Sequence, residues 1–179
     1  MNRIVVVGNS GSGKSTVSRE IGARLGLPVL EMDSVYHLEN WQPRANDEFR
    51  AIISDFISKD GWVVDGNYTN MDVDEFLWPR ADTIVWLDVG RSTATWRVLR
   101  RSVRRAVTRE ELWAENREQL RSLRKRDPEE NVVLWAWTKH SHRRSEYEEA
   151  IGEGWSHANV HRLRRGREVE DFLELLAPA

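Results

Sequence analysis

The chain has 179 residues, 40% hydrophobic and 31% charged, which suits one globular domain with a substantial core rather than a disordered protein. It has no cysteine, so disulfides, thiolate catalysis and zinc–thiolate sites are excluded, and no apolar run approaches the roughly 20 residues of a membrane span. The net charge of −2 hides a basic block: residues 91–126 carry 12 basic and 4 acidic side chains, against 8 and 14 in residues 1–90 and 7 and 11 in residues 127–179.

The first element is the apolar run IVVV at 4–7, read as a buried strand. No charged leader and apolar segment precede it, so no secretory signal is expected and a cytoplasmic protein is. A helix follows, with Val17, Ile21 and Leu25 on one face and Gly26 and Pro28 as stop signals. A second strand is expected at 29–32. A helix then opens at Asn46-Asp47-Glu48, with Phe49, Ile52, Ile53 and Phe56 inward. Strands at 62–64 and 83–87 come next, then a helix capped by Ser92 and running to about Arg105. A weaker strand at 159–163 and a helix at 168–176 close the chain. Strands alternating with helices predict an α/β protein, a three-layer α/β/α sandwich around a five-stranded parallel sheet.

Between the fourth strand and the fifth lies a mostly helical insertion, at about 106–145, within a single domain of residues 1–179. Thr108-Arg-Glu-Glu111 has capping-box spacing, and Asp127-Pro128 reads as a second helix start. Trp113, Trp135 and Trp137 pack its helices together, line a pocket or form a dimer surface; the oligomeric state is left open.

The loop after the first strand, Gly8-Asn9-Ser10-Gly11-Ser12-Gly13-Lys14-Ser15, matches G-x-x-x-x-G-K-[ST] in full and is followed by Thr16 and a helix. Its glycines let successive backbone N–H groups turn inward onto phosphate oxygens, and the new helix adds its positive end. Lys14 reaches the β- and γ-phosphates and the Ser15 hydroxyl ligates Mg²⁺, so the loop holds a nucleoside triphosphate with Mg²⁺. No N-K-x-D guanine motif is present, and ATP is the expected nucleotide.

Further motifs carry a resemblance. GWVVDGNY (61–68) resembles the strand and Asp-Gly of adenylate kinases, which makes Asp65 the residue that holds Mg²⁺ through water. IVWLDVGRSTATWRVLRR (84–101) is similar to the next strand and helix of that family. The resemblance places Arg97 against the adenine and Arg101 on the phosphates. VHRLRRGREVEDFLELL (160–176) resembles its last strand, turn and helix, with Gly166 bordering the adenine. With Met32-Asp33-Ser34-Val35-Tyr36, the whole chain looks most like the bacterial topology-modulation and adenylate-kinase-related branch of the P-loop nucleoside and nucleotide kinases. The resemblance implies phosphoryl transfer from ATP-Mg²⁺ to a small molecule.

The acceptor side has Asp33, Tyr36, Asn67 and Tyr68, and it lacks the arginine that adenylate kinases place after their Asp-Gly. A hydroxyl acceptor benefits from a carboxylate that orients it and takes its proton, so Asp33 points to a nucleoside or other hydroxyl metabolite. A nucleoside monophosphate kinase remains the alternative, with Arg44, Arg50 or Arg80 as a phosphate clamp. On a helical wheel Arg97, Arg100, Arg101, Arg104 and Arg105 oppose Trp96, Leu99, Val103 and Val107, a cationic wall suited to the triphosphate. Arg143 or Arg144 supplies the lid contact that excludes water. The basic block also admits a regulatory NTPase that binds nucleic acid, but it shows no nucleic-acid-binding motif, so no nucleic-acid partner is expected.

Overall fold

A computed structural model describes residues 1–68, 71–152 and 154–176. Five strands form one parallel sheet: β1 (Arg3–Gly8), β2 (Val29–Glu31), β3 (Trp62–Asp65), β4 (Thr83–Leu87) and β5 (Asn159–Leu163), in the order β2-β3-β1-β4-β5. Ile4 to Val7 are fully buried because β1 lies between β3 and β4 and has layers on both faces. Its side chains alternate between two cores. Val5 and Val7 join Trp62, Val64, Ile84 and Trp86 in one, and Ile4 and Val6 join Val63, Val85 and Leu87 in the other.

The first core is covered by α3 (Asn46–Phe56) through Phe49 and Ile53, by α4 (Asp74–Leu77) through Leu77, and by Tyr147 of α7 (His140–Gly152). The second is covered by α1 (Lys14–Leu25) through Val17 and Ile21, and by Phe172 of α8 (Gly166–Glu174). Three of the nine tryptophans, Trp62, Trp86 and Trp155, are among the largest fully buried side chains of the first core. The three-layer α/β/α fold is therefore as expected. Strand order reverses direction at β1, which opens a crevice at the carboxyl ends of the central strands. No helix of the described residues is long and apolar enough to cross a membrane.

Several boundaries differ from expectation. The second strand stops at Glu31, and α2 (Met32–Tyr36) follows at once as a short helix. The next long helix, α5 (Arg91–Thr108), is capped by Gly90 rather than Ser92 and continues past Arg105. Thr108 opens no capping box: its hydroxyl donates back to the Arg104 carbonyl at 2.9 Å, and Arg109 ends the helix in the left-handed region. Between residues 109 and 131 the insertion consists of three short 3₁₀ turns, at Trp113–Glu115, Leu120–Arg124 and Pro128–Glu130. Its helical part is α6 (Val132–Thr138) and the start of α7. Asn131, not Asp127, caps α6, accepting from the N–H groups of Val133 and Leu134 at 3.1 and 3.3 Å. The final helix begins at Gly166, two residues early, with Glu168 reaching back to accept from the Arg164 N–H at 2.6 Å.

Candidate active site

The crevice begins where β1 ends. Gly8, Gly11 and Gly13 have φ of +152°, +81° and +101°. A Cβ on Gly11 would overlap the Ala94 carbonyl of α5 and press on Val98, so the loop lies directly against the small residues of that helix. The Ser12 N–H donates to the Asn9 carbonyl at 3.0 Å, and Lys14 Nζ donates to the same carbonyl at 3.4 Å. No side chain caps α1, whose first residues are Lys14, Ser15 and Thr16, so its opening N–H groups face the loop. Arg97 donates to the Ser12 carbonyl at 3.3 Å, which brings one of the expected nucleotide arginines onto the loop.

Asp65, at the end of β3, is 4% exposed. One oxygen accepts from the Ser15 hydroxyl at 2.6 Å, and Oδ1 is buried without a hydrogen-bond partner among the described residues. Burial pushes its carboxyl up to about 6, opposed by the Lys14 charge and the Ser15 hydrogen bond. A hydroxyl beside a buried carboxylate with an open oxygen is a hard donor set that suits Mg²⁺. Gly66 follows, and Met32 leaves no room there for a side chain.

The Asn67 side chain turns away from the acceptor side expected for it and grips the first residue of the phosphate loop. Its Oδ1 accepts from the Gly8 N–H at 3.3 Å, and its Nδ2 donates to the Gly8 carbonyl. Its backbone carbonyl accepts from Arg143 at 2.7 Å. The two candidate lid arginines thus part company. Arg143 holds the Asn67 carbonyl, whereas Arg144 pairs with Asp88 at 3.3 Å and Glu148 at 3.5 Å, alongside Arg162 and Arg164. Gly166 opens α8 beyond the β5 turn.

On the other side, Asp33 accepts from the Tyr68 hydroxyl at 2.6 Å, and the ring of Tyr36 lies 4.7 Å from that of Tyr68. Asp33 acts electrostatically on Asp65, Tyr68, His37 and Arg101, so groups from α2, the β3 end and α5 gather about one carboxylate. Burial raises the Tyr68 phenol and lowers both His37 and the Arg101 guanidinium. Arg101 Nε and His37 Nδ1 are buried without a hydrogen-bond partner among the described residues. The alternative clamp arginines point elsewhere. Arg44 donates to the Val35 carbonyl and pairs with Glu48, and Arg50 holds the Met71 and Asp72 carbonyls. Arg80 lines a surface hollow with Asn2 and Arg3, at the opposite end of β1 from Gly8.

His37 and Asn116 were not among the expected site residues. His37 follows Asp33 by four positions on the α2 turn, a spacing that matters only once a helix is known there. Trp113 of the insertion stacks on its ring at 6.2 Å, and Trp41 meets it edge-on at 5.2 Å. Asn116 locks the two loops together: Oδ1 accepts from the Trp41 N–H at 2.9 Å, and Nδ2 donates to the Leu38 and Trp113 carbonyls at 2.8 and 2.9 Å. Much of the basic block is paired within the insertion, as in Arg104–Glu110, Arg105–Glu118 and Arg117–Glu111.

Solved structures of a gluconokinase and of shikimate kinases share this fold. A gluconokinase from Sinorhizobium meliloti 1021 matches over 98% of this chain and 93% of its own, with 21% identity and a TM-score of 0.51. A shikimate kinase from Acinetobacter baumannii in complex with shikimate matches over 98% and 90%, with 18% identity and a TM-score of 0.59. A shikimate kinase from Bacteroides thetaiotaomicron matches over 98% and 96%, with 15% identity and a TM-score of 0.55. No family model and no curated protein sequence matches the chain.

Proposed function

We propose that the protein transfers the γ-phosphate of ATP-Mg²⁺ to a hydroxyl of a small metabolite or nucleoside. The observation that carries this reading is Asp33, a carboxylate held by Tyr68 in the same crevice as Asp65 at the end of β3 and the half-buried Arg101. The loop N–H groups and Lys14 hold the triphosphate; Ser15 and Asp65 hold Mg²⁺, which when bound spreads the charge of the β- and γ-oxygens. Asp33 orients the attacking hydroxyl and accepts its proton as the oxygen bonds to phosphorus and the bond to the leaving ADP oxygen breaks. Arg97, Arg101 and Arg143 supply positive charge where it develops on the transferring group. The acceptor-side insertion, stacked on His37, excludes water from this step.

A carboxylate at the acceptor has no such task when the acceptor is itself a phosphate. The fold neighbours that act on shikimate support a small-molecule acceptor by analogy of fold. The test is γ-phosphoryl transfer to a panel of nucleosides, nucleoside monophosphates and hydroxyl compounds, including shikimate and gluconate, with Asp33→Asn alongside. Transfer to a hydroxyl compound that falls about 10²- to 10⁴-fold in the variant is expected. Transfer to a monophosphate that survives the substitution would overturn the hydroxyl reading, and hydrolysis without any acceptor would favour a regulatory NTPase.

A further inference from the structure

Asn67 joins the phosphate loop to the first turn of α7. Its side chain holds both backbone hydrogen-bonding groups of Gly8, the residue at which β1 turns into the phosphate loop. Its main-chain carbonyl holds the Arg143 guanidinium at 2.7 Å. The start of α7 has two further contacts, one to the same loop and one to the segment between β4 and α5. Asn9 Nδ2 donates to the His140 carbonyl at 3.5 Å, and the His140 ring lies against the Val89 carbonyl at 2.9 Å. Arg143 lies one helical turn into α7 from that anchor, next to the buried Tyr147, on whose phenol its charge acts. Asp65, two residues before Asn67 and bonded to Ser15, fixes the same short segment from its other end.

A single residue thus relays position between the phosphate loop and a cation. Loop N–H groups meet whichever phosphates a nucleotide carries, whereas a cation held beside them discriminates by how much charge is present. We propose that Asn67 is a positioning residue that sets Arg143 against the terminal phosphate, so that the preference for a nucleoside triphosphate over a diphosphate depends on this link. The inference rests on the reading of the loop as an ATP site. It also gives Asn67 a role besides any contact with the acceptor: one donor and one acceptor of its amide are engaged by Gly8.

The experiment is calorimetric titration of the whole chain with ADP-Mg²⁺ and with a non-hydrolysable ATP analogue and Mg²⁺, in wild type, Asn67→Ala, Asn67→Asp, Arg143→Ala and the Asn67→Ala/Arg143→Ala double variant. Wild type is expected to prefer the triphosphate. Asn67→Ala and Arg143→Ala should each lower that preference about tenfold while ADP affinity moves less than about twofold, and the double variant should lose no more than the larger single. Asn67→Asp keeps the shape but sets a carboxylate oxygen against the Gly8 carbonyl and adds a negative charge beside the phosphates, and should lower the preference at least as far as Asn67→Ala; thermal melts by circular dichroism accompany every variant. Equal weakening of both nucleotides in Asn67→Ala would make it a structural strut of the loop, and additive losses in the double variant would break the relay; either overturns the proposal. An Arg143→Ala variant with unchanged preference, or a wild type that binds both nucleotides alike, overturns it as well. A wild type that binds neither nucleotide overturns the ATP-site reading itself, a different and recognisable failure.

Discussion

The two sides of the crevice are built in different ways. The phosphate side is made by local backbone geometry: a fully buried strand, a loop with three glycines at positive φ and a helix start without a side-chain cap. The acceptor side is made by long-range clasps, chiefly the Asn116 amide bonded to Leu38, Trp41 and Trp113 and the aromatic stack on His37. The first kind of construction leaves no room for an added Cβ at Gly8 or Gly11. The second is a set of separable contacts, and its loss is graded.

The largest effect is expected where backbone geometry leaves no slack. Gly11→Ala puts a side chain on a residue with φ of +81° and drives it into the Ala94 carbonyl. Nucleotide affinity should fall at least about a hundredfold, with a stability loss of about 2–4 kcal/mol from strain and clash. Titration with ATP-Mg²⁺ and a thermal melt measure both, and a variant with native affinity would show that the loop is not braced on α5.

Asp65 sharpens the contrast because on this side a buried carboxyl costs stability. Its carboxyl is raised from 3.8 to about 6 by burial, so the folded state binds a proton more tightly than the unfolded state. Stability from this group is therefore greatest at low pH and is lost as pH rises from about 4 through about 6. Asp65→Asn removes that loss. In metal-free buffer it should gain about 1–3 kcal/mol at pH 8, shrinking to nothing near pH 3, while phosphoryl transfer falls at least about a hundredfold. Chemical denaturation across pH reads the first and a transfer assay the second. A variant less stable than wild type at pH 8 would assign Asp65 a structural role.

The clasp should behave otherwise. Asn116→Ala leaves the Trp41 N–H and the Leu38 carbonyl without their partner and takes one of two donors from the Trp113 carbonyl, which keeps the backbone N–H of residue 116, a local cost of about 2–3 kcal/mol. The sheet does not depend on it, so nucleotide affinity should stay within about twofold. Amide exchange should quicken over residues 37–43 and 111–117, and the KM for the acceptor identified by the panel should rise about tenfold. Exchange that speeds up throughout the sheet would show that the two sides are one cooperative unit.

The same contrast explains what could be read in advance. The strands, the phosphate loop and Asp65 are legible because their signals lie within a few consecutive residues: IVVV before the glycines, WVVD before Gly66. The α2 turn is too short for any period to reveal it, and with it went His37. Asn116 shows nothing in sequence because its three partners include two some 75 residues away. Arg143 and Arg144 are adjacent in sequence and chemically identical, and they part only because one faces Asn67 and the other Asp88.

The mildest prediction concerns α5, where the wheel was sound and its natural interpretation was not. An apolar stripe opposite an arginine stripe ordinarily turns its apolar side inward. Here Trp96 and Val107 are 62% and 68% exposed, while the buried positions are Ala94, Val98 and Ser102, with Arg101 and Arg105 beside them. The phosphate loop decides the matter: it packs on α5 so closely that Ala94 and Val98 lie directly beneath Gly11, and Arg101 lies within reach of the Asp33 charge. Arg105 is compensated by Glu118 at 3.0 Å, and the Arg101 charge by Asp33 and Glu118. Trp96→Gln and Val107→Gln should therefore each change stability by no more than about 0.5 kcal/mol and leave nucleotide affinity unaltered. Arg101→Gln, of similar length but uncharged, should weaken triphosphate binding or transfer at least about tenfold without lowering the melting temperature, because burial already penalises the charge it removes. If instead the tryptophan variant unfolds and the arginine variant is silent, α5 is rotated by half a turn and the apolar stripe is the side that packs.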